Sequence, residues 1–209
     1  MATRAEVTPN RRGMKSRELV LDAAERVMSE DGFEAATIAR VVKEAGIPLS
    51  SVYHYFGSKD GILLAVMERG ADRFFADLPG SNGRAGRPAE HLAALITTAA
   101  STLERHPNFL RLLIGFAAQP PTAAGGEIRA VVGRVRELAL ERLRAEIAVA
   151  FGDDPKSPTT DQLARFALAA FDGAFVASQT DAGVTLERLL EPLPAAIIGA
   201  RRALVVKSP

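Results

Sequence analysis

The chain has 209 residues, 47% of them hydrophobic and 24% charged, which fits one large domain or two small ones and excludes wholesale disorder. The net charge is +1 and there are no cysteines. No global charge therefore announces a polyanionic partner, and disulfide scaffolds, thiolate nucleophiles and cysteine-based zinc or iron–sulfur sites are excluded together. No apolar run approaches the ~18 residues that span a bilayer, and the N-terminal MATRAEVTPNRRG lacks the apolar stretch of a secretory signal. The expectation is a cytoplasmic protein.

Nothing alternates with a period of two over a strand's length, whereas apolar residues recur at helical spacing in nearly every segment. Val20, Ala23, Ala24, Val27 and Met28 form a first stripe, ending before Asp31-Gly32. Ile38, Val41, Val42 and Ala45 form a second, closed by Gly46, and Leu49, Val52, Tyr53 and Phe56 a third, closed by Gly57. Ser58 is a fitting N-cap for a fourth helix running through Leu63, Leu64, Met67 and Phe74 to about Leu78. The stretch PGSNGRAGRP, Pro79 to Pro88, reads as a loop. Longer helical patterns follow at about 89–105, 108–119, 127–151, 160–179 and 186–206, with Pro192 and Pro194 predicting a kink or a short separate helix before Ala195. The fold class expected is all-α: a basic flexible arm over 1–13, a three-helix head over 14–60 and a larger helical body over 61–209.

The head carries the chemistry. Thr37 to Phe56 reads as two short helices joined at Gly46, a residue that tolerates a sharp turn without a Cβ clash. Packing of Ile38, Val42 and Val52 would set their angle, giving a helix-turn-helix whose second helix suits a DNA major groove. The same pattern also serves plain packing in a helical bundle. Two features favour DNA. The outward positions of the second helix, Ser50, Ser51, Tyr53 and His54, are small or hydrogen-bonding, and ahead of the first helix Arg4, Arg11, Arg12, Lys15 and Arg17 face only Glu6. A cationic arm beside a recognition helix suits phosphate or minor-groove contact.

Over about residues 14–66 the sequence resembles the TetR (tetracycline-repressor) family of bacterial transcriptional regulators. The resemblance rests on Thr37-Ile38-Ala39, Ala45-Gly46-Ile47, Val52-Tyr53-His54-Tyr55-Phe56, and Lys59 followed by Ile62-Leu63-Leu64. It implies about nine helices and a homodimeric repressor that binds a palindromic operator in double-stranded DNA and is released by a small effector. It gives phosphate contacts to Thr37, Tyr53 and Lys59, places Leu49, Ser50, Ser51, His54 and Tyr55 toward bases or adjacent backbone, and leaves Val52 and Phe56 buried. Pro48 departs from the family pattern, which often has a capping side chain there; its fixed φ still suits a helix start. The recognition helix also lacks Arg, Asn and Gln, the side chains of bidentate base contacts, so the operator is not legible in it and DNA shape has room to contribute.

In the body, Ala169, Gly173 and Ala177 recur at one-turn spacing, as do Ala195 and Gly199. Small residues four apart let helices approach closely, within one chain or between two; the resemblance implies a dimer interface. It also implies a small-molecule pocket whose occupation shifts the helix after the recognition helix. Candidate lining residues are Phe74, Leu113, Phe116, Phe171 and Phe175, with His106, Gln119, Asp172 and Gln179 as polar groups to orient a hydrophobic effector. No cofactor, metal or membrane partner is expected. Catalysis is not expected either: there is no Glu-x-x-His pair, the three histidines lack metal-ligand spacing, and G-x-S-x-G, Walker and G-x-G-x-x-G motifs are missing. A helical adaptor that binds only protein is the remaining alternative.

Overall fold

The computed structural model describes residues 11–78, 87–119, 126–181 and 183–206, with side chains from residue 13 onward. The expected loop over 79–88, most of the PPTAAGG separator and the arm as far as residue 10, including Arg4, lie outside the described residues. Among the described residues every regular element is a helix. In chain order they are α1 (Arg11–Asp31), α2 (Ile38–Ala45), α3 (Leu49–Phe56), α4 (Lys59–Asp77), α5 (Pro88–Arg105), α6 (Pro107–Ala118), α7 (Gly126–Phe151), α8 (Pro158–Thr180), α9 (Leu186–Leu190) and α10 (Leu193–Val206). The segment 186–206 is thus a five-residue helix followed by a separate one. Pro192 sits in the break, and Pro194 near the start of α10, where a missing N–H costs no intrahelical bond. In contrast to an arm over 1–13, backbone from Arg11 on is already helical. The apolar stripe marked only the buried length of α1, and polar residues ahead of it continue the same helix.

The chain forms two compact units. The first takes the described residues up to Gly70 together with those from Asn108 to Val131. Its core is the predicted α1 stripe, with Val20, Ala23, Ala24 and Val27 wholly buried, packed with Val41, Val52, Ile62, Leu63, Val66, Met67 and Phe109. Burial at roughly 25 cal/mol per Å² of apolar surface makes this the main stabilising contribution. Within the helix pair, Val41 and Val52 are the buried members, whereas Ile38 and Val42 are only half-buried. The second unit takes Ala71–Pro107 and the described residues from Val132 on. There α5, α8, α9 and α10 pack together through Leu92, Ile96, Leu163, Ala167, Leu186, Leu190 and Ile197. No helix among the described residues is long and apolar enough to cross a membrane.

Candidate DNA-binding surface

Local chemistry sets the α2–α3 turn. Thr37 is extended and its Oγ1 accepts a hydrogen bond from the Arg40 N–H at 3.2 Å, an N-cap that satisfies one free donor of α2. Gly46 closes α2 at φ 65°, a left-handed conformation that glycine adopts without penalty, and its N–H donates to the Val42 carbonyl at 3.0 Å. Pro48 then precedes α3 with no side-chain cap; its carbonyl accepts from the Ser51 and Val52 N–H groups at 3.0 and 3.3 Å. Loss of the usual cap therefore leaves α3 starting in register at Leu49.

On α3 only Val52 is fully buried. Leu49 and Tyr53 are 48% and 49% exposed, Ser50 and His54 are exposed, and Ser51, Tyr55 and Phe56 are half-buried. Tyr55 turns toward α1, where a Cβ added at Gly13 would lie 3.5 Å from its hydroxyl. The Arg17 guanidinium stacks over Phe56, 5.4 Å from the ring centroid. The first turns of α1 thus brace the C-terminal half of α3. Ser58 caps α4, its Oγ accepting from the Gly61 N–H at 3.0 Å, as expected. The Lys59 ammonium donates to the Glu34 carbonyl at 3.0 Å and lies 4.4 Å from the Phe33 ring centroid.

The charges around these helices are sorted. Arg26 pairs with Glu44 at 2.8 Å, and Arg40 with Asp31 and Glu30. Arg69 of α4, only 11% exposed, reaches Glu18, Asp22 and Glu25 on one face of α1 at 2.7–3.0 Å. Burial opposes the Arg69 charge, but the hydrogen bonds it donates to Glu18 and Glu25 and the field of Asp22 outweigh it and hold its pKa above the ordinary arginine value. Sequence reasoning missed Arg69 and Phe33: one is a cation in an amphipathic helix, the other an aromatic in a turn, and neither stands out in a periodic pattern.

The remaining candidates fall in both units, each taken by itself. In the first unit Leu113 and Phe116 are buried and Gln119 half-buried. In the second, Phe74, Phe171 and Phe175 are buried. His106 Nε2 lies 2.9 Å from Asp77 Oδ2 with its ring edge-on to Phe74, while Asp172 accepts from Arg136 at 2.6 Å and Gln179 is exposed. His106 and Asp172 thus already have protein partners. On α8 and α10, Ala169, Gly173, Ala195 and Gly199 are exposed and Ala177 is half-buried, beside exposed Phe166 and Val176. No group of His, Asp and Glu side chains among the described residues could hold a metal ion.

Residues 20–66 match the family model of bacterial regulatory proteins, tetR family. The chain is 37% identical over 83 residues to the HTH-type transcriptional regulator BetI of Brucella anthropi, a match covering 40% of this chain and 42% of that protein. It is 25% identical over 160 residues to BetI of Rhizobium meliloti, covering 77% of this chain and 76% of that one. Among solved structures, a TetR-like transcriptional regulator from Rhodococcus sp. RHA1 superposes with a TM-score of 0.62 at 24% identity, covering 92% of this chain and 97% of that one. FadR from Bacillus subtilis, solved in complex with stearoyl-CoA, gives 0.66 at 18% identity, covering 88% and 98%. At these identities the structural likeness is one of fold. The matched segment contains the capped α2, the glycine turn, the outward-facing α3 and the Lys59 end of α4, and over this segment the chain carries the N-terminal domain of the tetR family of bacterial regulatory proteins.

Proposed function

We propose that the protein is a homodimeric repressor that sets α3 of each protomer in the major groove of a palindromic operator and is released by a small hydrophobic effector. The observation that carries the DNA contact is the outer face of α3, where Leu49, Ser50, Tyr53 and His54 stand exposed on a helix anchored by Val52. Tyr53 and Lys59, with the Thr37 hydroxyl at the start of α2, contact phosphates. Ser50, Ser51, His54 and Leu49 meet base edges, the last through a thymine methyl, and Tyr55 the adjacent backbone. A two-fold arrangement would place the recognition helices about 34–36 Å apart.

Dimerisation is supported by the exposed small-residue faces of α8 and α10, an apolar surface that a lone chain leaves in water. The effector is hydrophobic because the candidate set is: Phe171 and Phe175 lie buried beside Asp172, whose Arg136 partner a polar ligand group would have to replace. The solved FadR relative holds an acyl thioester, which is in keeping with that chemistry. Release requires the effector to bind one conformation better than the other, since equal affinity shifts nothing.

The test is selection of bound duplexes from a randomised pool, with a Tyr53→Ala, Lys59→Ala double variant in parallel. Enrichment of a palindrome by the wild type alone is expected, and it would supply the operator for effector screening by release. No enrichment at low salt would remove the repressor assignment and favour a helical adaptor that binds protein.

A further inference from the structure

Within the first unit α6 is seated at two points. Phe109, wholly buried, fills the space over Gly70 of α4, where an added Cβ would come within 2.3 Å of its ring. Further along α6, the Phe116 ring meets Phe33 edge-on, with centroids 5.7 Å apart and planes at 61°. Phe33 belongs to the turn between α1 and α2, and its face carries the Lys59 ammonium at 4.4 Å. The neighbouring Glu34 carbonyl takes one of the ammonium's hydrogen bonds at 3.0 Å. A lysine ammonium has three donors on a flexible four-carbon stem. With one donor engaged and a ring beneath it, the group keeps two donors to offer outward from a defined point at the start of α4. Its freedom is already restricted, so a phosphate arriving there does not bear the whole cost of ordering the side chain.

We propose that Phe33 is a positioning residue for Lys59 and that Phe116 links α6 to it, so that the placement of α6 sets how the Lys59 ammonium is presented to a DNA phosphate. The inference rests on the phosphate role assigned to Lys59 above and adds the device that governs it. Three aromatic and cationic side chains in direct contact form a continuous physical path from α6 to the start of α4, all inside one compact unit.

The test is a double-variant cycle on the full chain with its selected operator, run below the unfolding transition of every variant. Phe33→Leu is expected to lower operator affinity about 2–5-fold, the scale of an exposed cation–π contact. Phe33→Tyr, which keeps the ring, restores affinity toward wild type, and Phe116→Leu gives a smaller loss in the same direction. Lys59→Ala lowers affinity and reduces the salt slope by about 1. In the Lys59→Ala background both phenylalanine substitutions should then cost almost nothing, because their route to the phosphate is gone. Losses that stay additive overturn the inference alone and make Phe33 a packing residue of the head. A Lys59→Ala variant with unaltered affinity overturns both the inference and the phosphate role. A wild-type chain that selects no duplex overturns the DNA assignment itself, and this inference with it.

Discussion

Tyr53 and Leu49 leave nearly half of their surface in water although burial of such side chains is favourable by about 1.5–3 kcal/mol. Single exposed apolar residues are ordinary, but here they share the outer face of one short helix with Ser50 and His54. The contrast with paired residues elsewhere is sharp. Asp153 accepts two hydrogen bonds from Arg201 at 2.7 and 2.8 Å, and the guanidinium also lies over the Phe151 ring. Those bonds hold the Asp153 carboxyl below its ordinary pKa, with burial acting against them. A carboxyl depressed in the folded state stabilises above its unfolded pKa of about 4 and loses that contribution as the pH falls through the folded value. Asp153→Asn should therefore lower stability at pH 7 by about 1 kcal/mol, with the difference from wild type narrowing as the pH falls below the ordinary carboxylate pKa toward the folded value. Denaturant titrations at pH 7 and pH 3 check this; an equal difference at both would mean that the loss is one of packing.

At the scale of elements, the junction between α3 and α4 is the tightest feature of the head. A Cβ at Gly61 would sit 2.0 Å from the Phe56 carbonyl oxygen, a backbone atom that cannot swing away as a side chain can. Gly61→Ala must therefore displace one helix against the other, at a cost of roughly 1–3 kcal/mol typical of overpacking. A lower thermal midpoint is expected, despite the better helix propensity of alanine. An unchanged midpoint would show that the junction yields without strain. Because α3 is braced at its other side by Arg17 stacked on Phe56, its orientation depends on α1 and α4 together rather than on the glycine turn alone.

For the molecule as a whole, the proposed repressor requires a second copy. Gly173 is exposed and nothing lies within 4 Å of a Cβ added there, so a larger side chain meets no obstacle inside its own chain. Gly173→Leu should leave the subunit folded, with helix propensity improved by up to about 1 kcal/mol, while sedimentation shifts toward monomer and operator binding weakens. A dimer of undiminished strength would place the interface elsewhere. The pairing of His106 with Asp77 and of Asp172 with Arg136 bears on the chemistry of the proposed effector. A ligand that engages either group exchanges one charge-assisted contact for another and gains its affinity chiefly from apolar area.

The helical class and nearly every helix were legible in the residues, because a 3.6-residue apolar period and a local cap such as Ser58 act within a turn of the chain. The outward positions of α3 at Ser50, Tyr53 and His54 were legible too, through their spacing after Gly46. What tertiary structure alone decided is which members of each stripe are buried, so that Val41 rather than Ile38 or Val42 fills the head. It also decided which charges are cancelled: Arg26, Arg40 and Arg69 meet acids brought together only by folding. Phe33 gained its place between Phe116 and Lys59 in the same way. Helix periodicity and capping depend on neighbours three or four residues apart, whereas these pairings join residues 9 to 83 positions apart in the chain, a separation that no local pattern encodes.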